Sequence, residues 1–269
     1  MTTAFSDVFQ HAAEYHAAWG VQQLEMIGQA FPGGPCTADP DRCRYESGRR
    51  SLRVGLLGSY DLAEQTWMWG AGPIRGLRGS EVAAAGARIP EFGRRHGIVE
   101  LQEEGVALAG FADPRRAAES LAFLGMAALG APGYIGQEAG PETRVYFVPQ
   151  DPQLQPARLD PVAMPRRLLT GAGPFARSPW LVVNGWFALH GVPVQEATDQ
   201  ITAALPGGAA VISFDAAGRI SGINAGPVSA WYPTVDLDLH GWAAACCGND
   251  TAVRRLGASV ANATGGWRI

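Results

Sequence analysis

Residues 51–72 constrain the fold most, because they hold the most strand-like run in the chain and a polar break inside it. Strand-forming residues run from Leu52 to Leu57, polar residues follow over 61–65, and Thr66-Trp67-Met68-Trp69 resumes the pattern. This arrangement predicts two antiparallel strands joined by a short connection. Because successive side chains of a strand point to opposite faces, Trp67 and Trp69 share one face.

The face that carries Trp67 and Trp69 has two interpretations. Exposed aromatic rings can stack on a sugar, a nucleobase or an aromatic side chain of a partner, which would make this face a binding surface. Large aromatic side chains are also the usual material of a core, which would bury the same face under a helix. The sequence leaves both alternatives open.

Periodicity and capping residues predict the remaining elements. A long amphipathic helix is expected over 5–27, with Ser6 as its N-cap, and a second helix over 117–129 follows Asp113 and Pro114. Further expected helices cover 80–88, 194–204 and 249–261. Pro90 is expected to end the first of these, and a turn over 91–96 capped by Gly97 is expected to follow it. Further expected strands cover 44–46, 143–148, 209–214, 219–223 and 228–239.

These elements predict an α+β protein in which antiparallel β-sheets pack against helices, with a long N-terminal helix and two similar-sized halves. Five prolines between 149 and 165 favour a connection at residues 151–165. The halves would then be residues 1–150, with the tryptophan strand, and residues 166–269, with the second hairpin. One intimately packed domain is the alternative.

Composition excludes several function classes. The formal net charge is −4 with a pI near 5.7, and no basic run is present, so nucleic acid is not an expected partner. Every basic side chain is arginine, which rules out lysine Schiff bases and P-loops and indicates a GC-rich bacterial genome. The N-terminus lacks the pattern of a secretory signal and no uncharged run is typical of a membrane span, so we expect a cytoplasmic protein without membrane contact.

Asp236, Asp238 and His240 alternate with apolar residues near the C-terminus. On a strand these three side chains would share one face, where two carboxylates and an imidazole could bind a divalent metal or act as an acid/base pair. The alternative is the water-facing side of an ordinary strand. A direct metal site would also need a further ligand that the neighbouring sequence does not supply.

The four cysteines offer a second arrangement for a metal. Cys36 and Cys43 are separated by six residues and Cys246 and Cys247 by none, which matches no standard zinc-site spacing. Free thiols are therefore the main expectation, and we expect no cofactor.

Several segments of the first half together resemble a family of uncharacterised bacterial proteins. They are Leu57-Gly58-Ser59-Tyr60, Thr66-Trp67-Met68-Trp69, Ile89-Pro90-Glu91-Phe92-Gly93 and His96-Gly97-Ile98 with Glu100. The resemblance covers roughly residues 5–148. It implies an α+β domain of unknown function, and it supplies no activity, substrate or catalytic residue.

The function that agrees best with these observations is that of a non-catalytic cytoplasmic binding protein, with the tryptophan strand or its rim as its contact surface. Its partner would be another protein or a small ligand. A metal-assisted hydrolase that uses Asp236, Asp238 and His240 is the second hypothesis, and a structural role in oligomerisation is the third. The sequence does not predict an oligomeric state.

Overall fold

The computed structural model describes residues 4–32, 36–70, 77, 79–173 and 177–226. Within these residues, helices combine with antiparallel sheets, which confirms the predicted α+β class. The α-helices in this part of the chain are α1 (Asp7–Ala30), α2 (Ile89–His96), α3 (Pro114–Ala128), α4 (Met164–Gly171) and α5 (Pro179–Leu189). The expected strand over 228–239 and the expected helix over 249–261 lie outside the described residues.

The long N-terminal helix is confirmed. Ser6 caps α1 because its hydroxyl accepts a hydrogen bond from the backbone N–H of Phe9 at 3.2 Å. One face of the helix is buried, with Phe9 near its start and Ile27 near its end. The helix ends at Ala30, where Pro32 follows within two residues.

The larger sheet has seven strands, and all its pairings are antiparallel. The long strand β3 (Arg50–Asp61) lies at its centre. It pairs with β2 (Arg44–Ser47) over residues 50–53, with β7 (Thr143–Pro149) over 54–61 and with β4 (Thr66–Trp69) over 58–61. The predicted hairpin is thus confirmed as β3 and β4. The strands are β1 (Cys36–Asp39), β2 (Arg44–Ser47), β3 (Arg50–Asp61), β4 (Thr66–Trp69), β5 (Gly105–Ala107), β6 (Ile135–Glu138) and β7 (Thr143–Pro149).

The two faces of this sheet have different surroundings. Helix α3 packs closely on the face that carries Trp69, since a Cβ added at Gly125 would lie 2.7 Å from the Trp69 ring. Asp113 caps this helix through the backbone N–H of Arg116, as predicted. The opposite face carries Leu56 and Phe147, a cross-strand pair that belongs to a second, smaller hydrophobic cluster.

The smaller sheet corrects the helix predicted over 194–204. This segment forms β8 (Val194–Glu196) and β9 (Gln200–Leu205), which extend a sheet with β10 (Gly208–Phe214) and β11 (Ile220–Gly226). Ile201 and Ala203 are both buried, at the two-residue spacing of a strand. Their pairing with β10 outweighs the helical spacing of the apolar residues. The predicted hairpin over 209–223 is confirmed.

The segment around Pro90 is a second correction. Residues 82–84 and 86–88 form two short 3₁₀ helices instead of one α-helix, and Pro90 lies in the first turn of α2 instead of ending a helix. A proline is tolerated there because a first-turn N–H has no partner within the helix. Gly97 ends α2 in the left-handed conformation, with φ of 68°, as the sequence predicts.

Elements from both sides of the proline-rich connection pack on α1, which contacts α3, α4 and α5. The connection itself is also attached to this helix, because the Gln23 side chain accepts a hydrogen bond from the backbone N–H of Ala157 at 2.7 Å. The division of the chain into halves at residues 151–165 stays a prediction.

Candidate functional site

The structure places Trp67 and Trp69 in the core. Their side chains are 0% and 1% exposed, and the two rings meet edge to face with centroids 5.1 Å apart. Tyr146 packs beside Trp67 at 5.0 Å. This burial agrees with the core interpretation of the tryptophan face, and a role of the two rings in binding stays a prediction.

Trp69 also takes part in a hydrogen-bonded latch formed with Glu100 and Ser6. The indole N–H of Trp69 donates to the backbone carbonyl of Glu100 at 2.9 Å. The Glu100 carboxylate, only 8% exposed, accepts from the backbone N–H of Ser6 at 2.5 Å and from its hydroxyl at 2.9 Å. The latch joins the start of α1, the end of β4 and the segment after α2, and two of its members, Trp69 and Glu100, belong to the segments that resemble the family.

The structure describes only some of the residues of the other sites that the sequence predicts. Asp236, Asp238 and His240 lie outside the described residues, as do Cys246 and Cys247. Cys36 is half-buried and Cys43 is buried, and both are free thiols. The described part of the chain brings together no cluster of three or more His, Cys, Asp or Glu side chains suited to a metal ion.

The second face of the large sheet contains an apolar cleft with a volume of about 330 Å³. Leu56, Val145 and Phe147 line it from the sheet, because the register of β6, β7 and β3 brings these side chains to one face. Leu56 and Phe147 are only 1% and 3% exposed, and Val145 is half-buried. The hairpin of β1 and β2 supplies one wall. The described residues around the cleft are Ala38, Pro40, Leu56, Leu77, Gln137, Ala139, Val145 and Phe147, and none of them is charged.

Gln137 is the polar exception among the residues that line the cleft. It lies on β6 directly opposite Val145 of β7, so its side chain shares the face of the apolar floor. Its Oε1 atom is buried and has no hydrogen-bond partner. A buried amide oxygen without a donor is unfavourable, and Trp67 Nε1 and Asn184 Oδ1 are in the same position.

A polar cluster stands on the opposite face, between α3 and β7. The Glu119 carboxylate accepts from the hydroxyls of Tyr134 and Tyr146 at 2.8 and 3.0 Å, and the Arg144 guanidinium lies 3.3 Å away. Burial, together with the Glu119 charge, raises the pKa of both tyrosines well above the ordinary value. Both phenols therefore stay protonated and donate, and the cluster attaches α3 to the sheet.

Two histidines are held neutral by their surroundings. Burial lowers the pKa of His16 to about 4, with a smaller contribution from nearby His96, and its ring hydrogen-bonds to the carbonyl of Ala12 at 2.8 Å. Burial also lowers the pKa of His190 to about 4, and its Nε2 lies 2.8 Å from the side-chain oxygen of Gln22. Neither histidine is among the described residues that line the cleft, so we assign both to packing.

A comparison with models of protein families shows which family this chain belongs to. The model of a family of unknown function, DUF6882, matches residues 3–152, which is more than half of the 269 residues. The chain belongs to this family. The matched region contains the Ser6–Trp69–Glu100 latch and Gln137, so both lie in the family domain. Neither a curated protein nor a solved structure matches the chain.

Sequence reasoning anticipated the tryptophan face and missed the cleft. The alternation of Val145 and Phe147 within the predicted strand over 143–148 was a usable signal, because it gives that strand a second apolar face. Nothing in the sequence pairs this face with Gln137.

Among the described residues, no helix combines the length and apolar character needed to cross a membrane.

Proposed function

We propose that this protein is a non-catalytic binding protein that takes a small, neutral, apolar molecule into the cleft of the large sheet. The observation that carries the proposal is the cleft itself, with its apolar floor of Leu56, Val145 and Phe147. Its volume of about 330 Å³ lies at the lower end of the range of small-molecule sites.

The uncharged lining of the cleft favours a neutral ligand. A charged group that entered it would lose its hydration without gaining an opposite charge from the described residues that line it. A neutral apolar body instead gains free energy as its surface leaves water, at roughly 25 cal/mol per Å². The proposal also keeps Trp67 and Trp69 as core residues behind the binding face.

The test is a fluorescence titration with N-phenyl-1-naphthylamine, a neutral apolar probe whose emission rises in apolar surroundings. We expect saturable one-to-one binding. Ala139 lies at the rim of the cleft and is exposed, so the Ala139→Trp substitution fills the cleft without entering the core. This substitution should weaken binding of the probe at least about tenfold, which is equivalent to about 1.4 kcal/mol of binding free energy.

The matched control is Ala63→Trp, which changes an exposed alanine in the turn between β3 and β4, away from the cleft lining. It should bind the probe as the wild type does. The proposal is wrong if the wild type shows no saturable binding, or if Ala139→Trp has no effect. A dimer that excludes the probe, seen by native mass spectrometry, would instead assign the cleft to a second copy of the chain.

A further inference from the structure

We propose that a polar pocket at one end of the large sheet, on the face opposite the apolar cleft, binds the carboxylate and ammonium groups of a free α-amino acid. The pocket has a volume of about 90 Å³, roughly that of three water molecules in the liquid. The polar side chains among its described lining residues are Tyr60, Arg115, Glu138, Thr143 and Arg144. The pocket is separate from the cleft, so the proposal goes beyond the proposed function.

The register of the sheet brings three of these side chains to one face. Tyr60 of β3 is directly opposite Arg144 of β7, and Arg144 is directly opposite Glu138 of β6. Tyr60 is also opposite Trp67, so this row lies on the face that α3 covers. Arg115 comes from the first turn of α3. The pocket therefore lies where the start of a helix meets the ends of three strands.

The first argument is the hydroxyl of Tyr60. This residue is only 4% exposed, and its hydroxyl has no hydrogen-bond partner within the part of the chain that the structure describes. The fully enclosed polar atoms without a partner in this part of the chain do not include it, so the hydroxyl is accessible. Burial, with the nearby Asp113 charge, raises the pKa of Tyr60, so the phenol stays protonated. An unpaired donor in the lining favours an acceptor in the pocket.

The second argument is the pair of opposite charges in the lining. Neither Arg115 nor Glu138 forms an ion pair with another described residue. Arg144 is already paired, because its guanidinium lies 3.3 Å from Glu119 and close to the backbone of Gly136. The pocket thus offers one guanidinium and one carboxylate to a ligand. An anion would meet the charge of Glu138 and a cation that of Arg115, whereas a zwitterion is attracted by both.

The third argument is the size of the pocket. A volume of about 90 Å³ holds only a few non-hydrogen atoms, so the two ligand charges must lie close together. In an α-amino acid the carboxylate and the ammonium are bonded to the same carbon atom, which meets this condition. The hydroxyl of Thr143 adds a second neutral hydrogen-bonding group for the carboxylate. Any long side chain of the ligand would extend out of the pocket.

The test titrates isotope-labelled protein with glycine, acetate or methylammonium at constant ionic strength and follows the amide chemical shifts by NMR. Glycine carries both charges, and each of the other probes carries one. We expect glycine to give saturable shifts at backbone amides between residues 138 and 144. Glycine should bind about fivefold more tightly than acetate or methylammonium, because each of these lacks one ion pair.

Three variants assign the binding to the pocket. Tyr60→Phe removes the hydroxyl and keeps the ring, and Glu138→Gln removes the charge that would meet the ammonium, so each should weaken glycine binding about fivefold. Tyr60→Phe should keep the unfolding midpoint of the wild type, because the hydroxyl bonds to no described residue. Arg115→Gln should weaken the binding of both glycine and acetate. The control Arg94→Gln changes an exposed arginine outside the pocket lining and should bind glycine as the wild type does.

The absence of saturable shifts with glycine would overturn the proposal. Equal affinities for glycine and acetate would also overturn it, because they would indicate a site for anions alone. The same holds if Glu138→Gln binds glycine as tightly as the wild type. None of the pocket variants should change the binding of N-phenyl-1-naphthylamine, since the cleft lies on the other face of the sheet. The amino-acid site and the proposed function can therefore fail independently of each other.

Discussion

Removal of the Glu100 carboxylate is the perturbation that tests the latch most directly. In the Glu100→Ala variant, the backbone carbonyl that accepts from Trp69 stays, and the two hydrogen bonds from Ser6 are lost. A hydrogen bond to a charged group contributes about 1.5–3 kcal/mol. Two of them set a range of roughly 3–6 kcal/mol, and water reaching the freed Ser6 N–H brings the expected loss to the lower end, about 3 kcal/mol.

The loss of negative charge beside the start of α1 acts in the same direction, by about 0.3–1 kcal/mol, because the helix dipole favours an anion there. The two effects together reach about 3.3–4 kcal/mol, so for a chain of this size we expect the melting temperature to fall by roughly 7–16 °C. The assay is urea unfolding followed by tryptophan fluorescence.

The control for this prediction is Glu103→Ala, which removes an exposed carboxylate three residues further along the chain. Its free energy of unfolding should stay within about 0.5 kcal/mol of the wild type. A double-mutant cycle with Ser6→Ala should give a coupling energy of about 1 kcal/mol or more. Equal unfolding midpoints for Glu100→Ala and Glu103→Ala would refute the latch.

Three further perturbations follow from the packing and the buried histidines. Gly185→Ala should destabilise the fold by about 3 kcal/mol in urea unfolding, since the added Cβ would lie 1.8 Å from the backbone oxygen of Tyr15. Gly28→Ala, in an open helical position, should stabilise it by about 1 kcal/mol, and a shared sign for both variants would contradict this packing. The pKa of about 4 at His16 and His190 lies below the usual 6.5, so the unfolded chain binds more protons between these values. The contribution of the two histidines to the free energy of unfolding should therefore be fully present above pH 6.5 and be lost as the pH falls toward 4. His16→Asn should reduce the slope of the unfolding free energy against pH in this range, and equal slopes for the variant and the wild type would argue against a neutral His16.

The elements that could be predicted are those whose signals are local. Ser6 and Asp113 cap α1 and α3 because each side chain reaches an N–H only three residues away. The turn between β3 and β4 follows from the polar residues between two strand-like runs. The shared face of Trp67 and Trp69 follows from the two-residue period of a strand, whatever the strand packs against.

The elements that could not be predicted depend on partners distant in the chain. The segment 194–204 has apolar spacing that suits a helix, and its pairing with β10 decides for strands. Glu100 has no neighbour in sequence that explains it, because its partner Ser6 lies 94 residues earlier. The same holds for Gln137, whose setting depends on strands β3 and β7.

The sequence by itself determined that Trp67 and Trp69 share one face of their strand, because side chains alternate along a strand. Only the tertiary structure decided which parts of the chain cover each face. Gly125 lets α3 approach Trp69 closely, so the helix covers that face. On the other face, Leu56 and Phe147 pack in the smaller cluster with Ile27 of α1 and Val82, and the cleft lies at this cluster. The physical reason is that covering a face requires a complementary surface from elsewhere in the chain, and a strand's own residues do not encode it.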